Sequence, residues 1–130
     1  MPGSIMLSRR GFTLIELLVV LVVVGLLVMF AIPRLSRNKE KTVIATMESD
    51  LRNLAMAEEG YYYISSIYST NSVTLNATLS TGNTLVINEA TSAGWSATLS
   101  NPLTPQSCYL FHGSATPVGS ATQEGVISCS

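Results

Sequence analysis

Lysine and arginine are missing after Arg52, and aspartate is missing after Asp50. The distal part of this 130-residue chain therefore carries only Glu58, Glu59, Glu89 and Glu124 as charges, among many Ser, Thr, Gly and Asn residues. Seven basic side chains stand against eight acids overall, which excludes the basic footprint of a nucleic-acid binder. There is no P-loop, no nucleotide-binding glycine fingerprint, and no acid pair with a histidine that reads as a catalytic set, so no enzyme and no cofactor is expected. A single histidine, His112, and two distant cysteines, Cys108 and Cys129, lack the four-ligand spacing of a structural zinc site. At this length there is room for one domain beside a membrane helix, and a second domain is not expected.

What is present is a long apolar run. From Phe12 to Ile32 the only charge is Glu16, and the run is long enough to cross a hydrocarbon core of about 30 Å at about 1.5 Å per residue. It must live in a membrane or in an equally apolar assembly. A carboxylate costs about 2 to 3 kcal/mol at the centre of such a span, less near the interface, so Glu16 suggests a specific partner. Its plainer role is an acid in the first turn of a helix, where the macrodipole favours negative charge by about 0.3 to 1 kcal/mol.

The string Gly11, Phe12, Thr13, Leu14, Ile15, Glu16, preceded by Arg9 and Arg10, resembles the processing site of type IV prepilins and their pseudopilin relatives. The resemblance implies that a membrane aspartyl peptidase cuts after Gly11 on the cytoplasmic side and methylates the new amino terminus, Phe12. The leader is then residues 1–11, with Met1 and Met6 both available as starts. An ordinary secretory signal would show small residues in an A-x-A-like pattern, which Ala31, Ile32, Pro33 and Arg34 do not offer. The resemblance also implies that Glu16 acts in assembly as a counter-ion for the Phe12 amino group of a neighbouring subunit. An α-amino group has a reference pKa of about 7.7 to 8.0, so the two would meet as opposite charges in a dry environment. Removing one member of a fully buried pair costs about 3 to 5 kcal/mol, which makes the pair a device against misregistered subunits.

The orientation evidence is divided. Arg34, Arg37, Lys39 and Lys41 follow the span closely, so a positive-inside count favours a cytoplasmic carboxyl end. The prepilin resemblance requires the opposite, with the leader in the cytoplasm. An extracytoplasmic carboxyl end also suits Cys108 and Cys129 as a disulfide in an oxidising compartment, and the resemblance gives the segment a family counterpart in the carboxyl-terminal disulfide-bounded region of type IV pilins. Closing the 108–129 loop would contribute roughly 3 kcal/mol. Two unpaired buried thiols are the alternative.

After Pro33 the pattern becomes amphipathic. Val43, Ile44, Met47, Leu51, Leu54 and Ala55 recur at spacings of three and four, with Lys41, Glu48, Asp50, Arg52 and Asn53 largely on other faces. The pattern predicts a helix from about Phe12 to about Tyr63, on the order of 80 Å long, whose first half protrudes and whose second half packs on the distal region. Pro33 lacks an amide hydrogen and crowds the preceding turn, so a kink is expected near residues 29 to 33. Gly25 adds flexibility or marks a close-packing position. Tyr61, Tyr62, Tyr63 and Tyr68 read as packing at the helix end.

From Ser65 the periodicity changes. Val73 to Leu79, Leu85 to Ile87 and Trp95 to Leu99 read as strands or extended loop, divided at Thr81 to Asn83 and at Ser92 to Gly94, with Cys108 to Phe111 and Val126 to Cys129 as further short strands. The expected fold is α+β: a long helix with a small antiparallel sheet laid across its amphipathic half, which resembles the pilin globular domain. The expected division is a leader at 1–11, a transmembrane or filament-core helix at 12–33, an amphipathic half at 34–64 and a β region at 65–130.

The resemblance implies a structural subunit of a type IV pilus, stored in the bacterial inner membrane with its distal region extracytoplasmic and assembled into an extracellular filament. The partners implied are identical subunits in a helical homopolymer, the prepilin peptidase and methyltransferase, an inner-membrane platform protein, an assembly ATPase, and membrane lipid before assembly. A pilus is preferred because of the cysteine pair, and because a major pseudopilin typically presents an acidic calcium site in its distal loop, where this chain has no aspartate. The alternatives are a minor pilin, a type II secretion pseudopilin, and a bitopic membrane-anchored binding protein that never polymerises.

Overall fold

The computed structural model describes residues 11–130, so Met6, Arg9, Arg10 and the rest of the leader before Gly11 lie outside the described residues. One helix, α1, spans Leu14–Ser65. It contributes to two compact units, one ending at Arg37 and one running from Asn38 to Ser130. In the first unit every described side chain from Gly11 to Ile32 is exposed, including Phe12, Leu17, Val24, Leu27 and Phe30. α1 runs through Pro33 without a break. Loss of one amide donor does not end a helix supported by bonded turns on both sides.

The second unit pairs the rest of α1 with four strands: β1 (Thr84–Ala90), β2 (Gly94–Ser100), β3 (Ser107–Gly113) and β4 (Ser128–Cys129). They form one antiparallel sheet in the order β1-β2-β3-β4, a meander in which each strand pairs with its successor. The core lies between helix and sheet. Met47, Leu51 and Leu54, four and three residues apart, put one helical stripe against Trp95, Ala97 and Leu99 of β2 and Cys108 and Leu110 of β3, and Tyr68 and Leu75 complete the cluster. The strand residues alternate because successive side chains face opposite sides of a sheet. The fold is therefore α+β and pilin-like, a long amino-terminal helix with its second half packed on a small antiparallel sheet.

β2 and β3 meet closely where Gly94 is opposite Gly113. A Cβ on Gly94 would collide with the His112 carbonyl oxygen, and Gly113 has φ +65° with the Ala93 carbonyl against it, so neither site admits a side chain.

Several expectations need correction. Val73–Leu79 is not a strand. Asn71 Oδ1 accepts from the amides of Val73 and Thr74, at 2.9 and 3.4 Å, while the Leu75, Asn76 and Ala77 amides bond to carbonyls at 71, 73 and 72. Asn76 has φ +50°. An asparagine side chain that captures local amides offers the backbone turns in place of a ladder, and of the four alternating apolar residues only Leu75 is fully buried. The expected strand at Val126–Cys129 shrinks to Ser128–Cys129, whereas Leu85–Ile87 extends to Thr84–Ala90 with a bulge between Ile87 and Glu89. Asp50 does not sit off the buried stripe. It is buried within it, one residue before Leu51.

Candidate assembly site

α1 begins at Leu14, not Phe12, because Thr13 caps it. Thr13 Oγ1 accepts from the Glu16 amide at 3.3 Å, and Glu16 Oε2 accepts in return from the Thr13 amide and the Thr13 hydroxyl, both at 3.0 Å. This is a reciprocal capping box: the hydroxyl satisfies an amide of the first turn, and the acid three residues on satisfies the amide of the cap. Sequence reasoning assigned Glu16 to the helix dipole or to a counter-ion and passed over Thr13. The signal was present, since a threonine followed three residues later by glutamate ahead of an apolar run is a helix-start signature. The Thr13 amide remains a peptide amide if the chain is cut after Gly11, so the cap survives such processing.

Phe12, Ile15, Glu16, Val19 and Val20 line one groove on the helix surface. Phe12, just ahead of the helix, and Glu16 in its first turn thus lie on one side. A Cβ built on Gly11 meets nothing within 4 Å among the described residues. Nothing in the packing of the described residues demands a glycine there.

The distal unit holds its acids differently. Asp50, 4% exposed, accepts from the Ser80 amide at 2.8 Å, the Ser80 hydroxyl at 2.9 Å and Asn83 Nδ2 at 2.7 Å, and Asn83 Oδ1 accepts from Asn101 Nδ2 at 2.7 Å. The carboxylate fastens the turn before β1, and the loop after β2 by way of Asn83, to the middle of the helix. Glu58 is fully buried and accepts the Ser69 amide at 2.9 Å through Oε2, while Oε1 has no partner among the described residues. Burial holds the Glu58 carboxyl above the ordinary carboxylate range, the Ser69 amide opposes that shift, and neighbouring Glu59 adds to it. Tyr68 donates to Glu59 Oε1 at 3.1 Å and stacks on Tyr62, and its phenol is pushed up to about 12, first by burial and then by that bond to a carboxylate. Tyr61 and Tyr62 join the core, whereas Tyr63 is exposed. His112 on β3 lies between two carboxylates, Glu59 at 3.4 Å and Glu124 at 3.2 Å.

Cys108 on β3 and Cys129 on β4 are opposite one another across the ladder and are joined as a disulfide. No cluster of three or more His, Cys, Asp or Glu side chains able to hold a metal ion occurs among the described residues.

The geometry, then, is a capped, apolar, uncovered helix start with one carboxylate, and the sequence over the same stretch has known counterparts. Residues 6–32 match the family model described as the prokaryotic N-terminal methylation motif. The chain carries a prepilin-type amino terminus. Similarity to curated proteins extends further than the motif. The chain is 40% identical over 75 residues to type II secretion system core protein G of Klebsiella pneumoniae, covering 58% of this chain and 54% of that protein. It is 38% identical over 72 residues to the protein of the same name from Vibrio cholerae, covering 55% and 49%, and 41% identical over 54 residues to that of Escherichia coli, covering 42% and 37%. The prepilin-type chain thus spans about half the length, or less, of the curated relatives it matches.

Proposed function

We propose that this prepilin-type chain is a filament-forming subunit of the pseudopilin kind, cut after Gly11, N-methylated at Phe12 and polymerised through the helix at residues 12–33. The observation that carries the reading is the uncovered apolar run: long and apolar enough to cross a membrane, it has no described residue from Phe12 to Ile32 buried within the chain. Lipid covers it in the stored precursor, and neighbouring copies of the same helix cover it in the filament. Gly11, which packing among the described residues leaves unconstrained, is explained by a peptidase that needs a small residue at the cut. The amphipathic half, 34–64, and the β region, 65–130, then form the outward-facing part of each subunit.

In the filament Glu16 neutralises the Phe12 ammonium of an adjacent copy, through the oxygen that the capping box leaves over. Pro33 allows the helix to loosen near residues 29–33 as the subunit is drawn out of the membrane. The partners are identical subunits, a prepilin peptidase and methyltransferase, an inner-membrane platform and an assembly ATPase. The shared name of the curated relatives supports a filament of a type II secretion system, held in the cell envelope. A surface pilus is favoured by the disulfide-bounded 108–129 segment and by the lack of any aspartate after Asp50.

Mass analysis of assembled material tests the core of this reading. The expected amino-terminal peptide begins with N-methyl-phenylalanine at residue 12, and an intact leader would overturn it. Deleting the gene should abolish type II secretion while leaving surface fibres in place. Loss of surface fibres with export intact would return the assignment to a pilus.

A further inference from the structure

The helix segment at the end of the apolar run carries a second feature, which concerns the stored subunit before assembly. Leu27, Phe30, Ala31, Arg34 and Arg37 line one groove on the surface of α1. Their spacings of three and four place them on one face, apolar at one end and doubly cationic at the other. Arg34 and Arg37 are exposed, and neither is ion-paired with a carboxylate among the described residues. On the translocated side of a span, basic residues work against the usual orientation rule, which leaves these two with an energetic disadvantage that calls for a compensating partner.

We propose that this groove binds an anionic phospholipid of the outer leaflet of the inner membrane. An acyl chain lies along Leu27, Phe30 and Ala31, and the phosphate is held by the guanidiniums of Arg34 and Arg37. The chemistry matches at both ends. A guanidinium presents a planar fork of donors suited to phosphate oxygens, and the arginine stem covers apolar surface while its head stays at the interface. The site sits where apolar sequence gives way to polar, which is where a headgroup must lie if residues 12–32 span the bilayer. The proposal rests on that membrane-spanning reading. Its functional consequence is that extraction of a subunit into a filament must first strip a bound lipid, which makes release from the membrane depend on leaflet composition.

The full mature chain, incorporated in nanodiscs of equal phosphatidylcholine and phosphatidylglycerol, provides the test. Native mass spectrometry after release reads which lipid stays bound, and carbonate extraction from cells separately reads insertion. The wild type should retain phosphatidylglycerol over phosphatidylcholine by at least roughly fivefold, the effect of one basic residue at an anionic surface. Arg34→Gln with Arg37→Gln should bring the ratio near parity, while Arg52→Gln, farther along α1, should leave it unchanged. An inserted wild type without preference, or a double variant that keeps it, overturns the lipid site alone. A double variant that keeps its lipid but loses cross-linking between copies would assign the groove to a second copy, and a wild type that carbonate extracts would overturn the membrane reading as well.

Discussion

Asp50 and Glu58 show how a charged residue can occupy a helical stripe read as apolar. Periodicity counts hydrophobic side chains, so it located Met47, Leu51 and Leu54 correctly and assigned Asp50 to another face. The structure keeps Asp50 inside because Ser80 and Asn83 supply three donors, and a buried carboxylate is tolerated when its oxygens are so satisfied. No local pattern in the sequence reveals partners thirty positions away. Asp50→Ala should lower stability by about 3 kcal/mol, because it strands those donors, and chemical denaturation of the full chain in detergent measures it. Glu58 gives a pH signature. Its folded-state value is raised, so the folded chain binds that proton more tightly than the unfolded chain does. Its contribution to stability is therefore greatest in acid and declines as pH rises from the unfolded carboxylate value of about 4.3 toward the raised one. Glu58→Gln should flatten that part of the profile in thermal unfolding as pH rises from about 4.3, the unfolded carboxylate value, and an unchanged slope would show that burial does not govern this group.

At the scale of elements, the helix and the central strands were legible because their signals are long and periodic. Trp95, Ala97 and Leu99 alternate, and the helical stripe repeats over several turns, so a sheet laid across that stripe could be expected, while the residue partners came only from the structure. Of the shorter segments, Val73 to Leu79 took the loop rather than the strand reading, because side-chain chemistry there competes with the ladder. Val73, Leu75, Ala77 and Leu79 alternate like a strand, yet Asn71 and Asn76 turn the backbone, and an alternation test does not weigh such turn residues. β4 has only two residues, and its place in the sheet is reinforced by Cys129 bonding to Cys108. Replacing both cysteines by serine should therefore lower stability by roughly 3 kcal/mol and release the 114–130 segment to protease first. Equal protease resistance with and without the bridge would show that the packing of β3 and its loop suffices.

At the scale of the whole molecule, sequence and structure agree most where the chain has least structure of its own. An apolar helix without a covering surface cannot exist alone in water, and that holds from composition before any coordinates. The type of filament was harder to read, because it depends on the distal domain, and loops rich in Ser, Thr and Gly constrain chemistry weakly. Shared sequence with type II secretion core proteins favours the pseudopilin alternative over a pilus, while the prepilin-type motif serves both. The claim common to every polymerising reading is that charge at Glu16, beyond its capping role, registers one subunit on the next. Glu16→Gln separates the two roles, because glutamine preserves a capping box with Thr13 and removes the charge. Filaments counted by electron microscopy, in cells whose only copy carries Glu16→Gln, provide the most direct measurement. The account predicts a chain that is inserted and cleaved after Gly11 but makes few or no filaments, and normal filament numbers would contradict it and leave Glu16 as a helix cap.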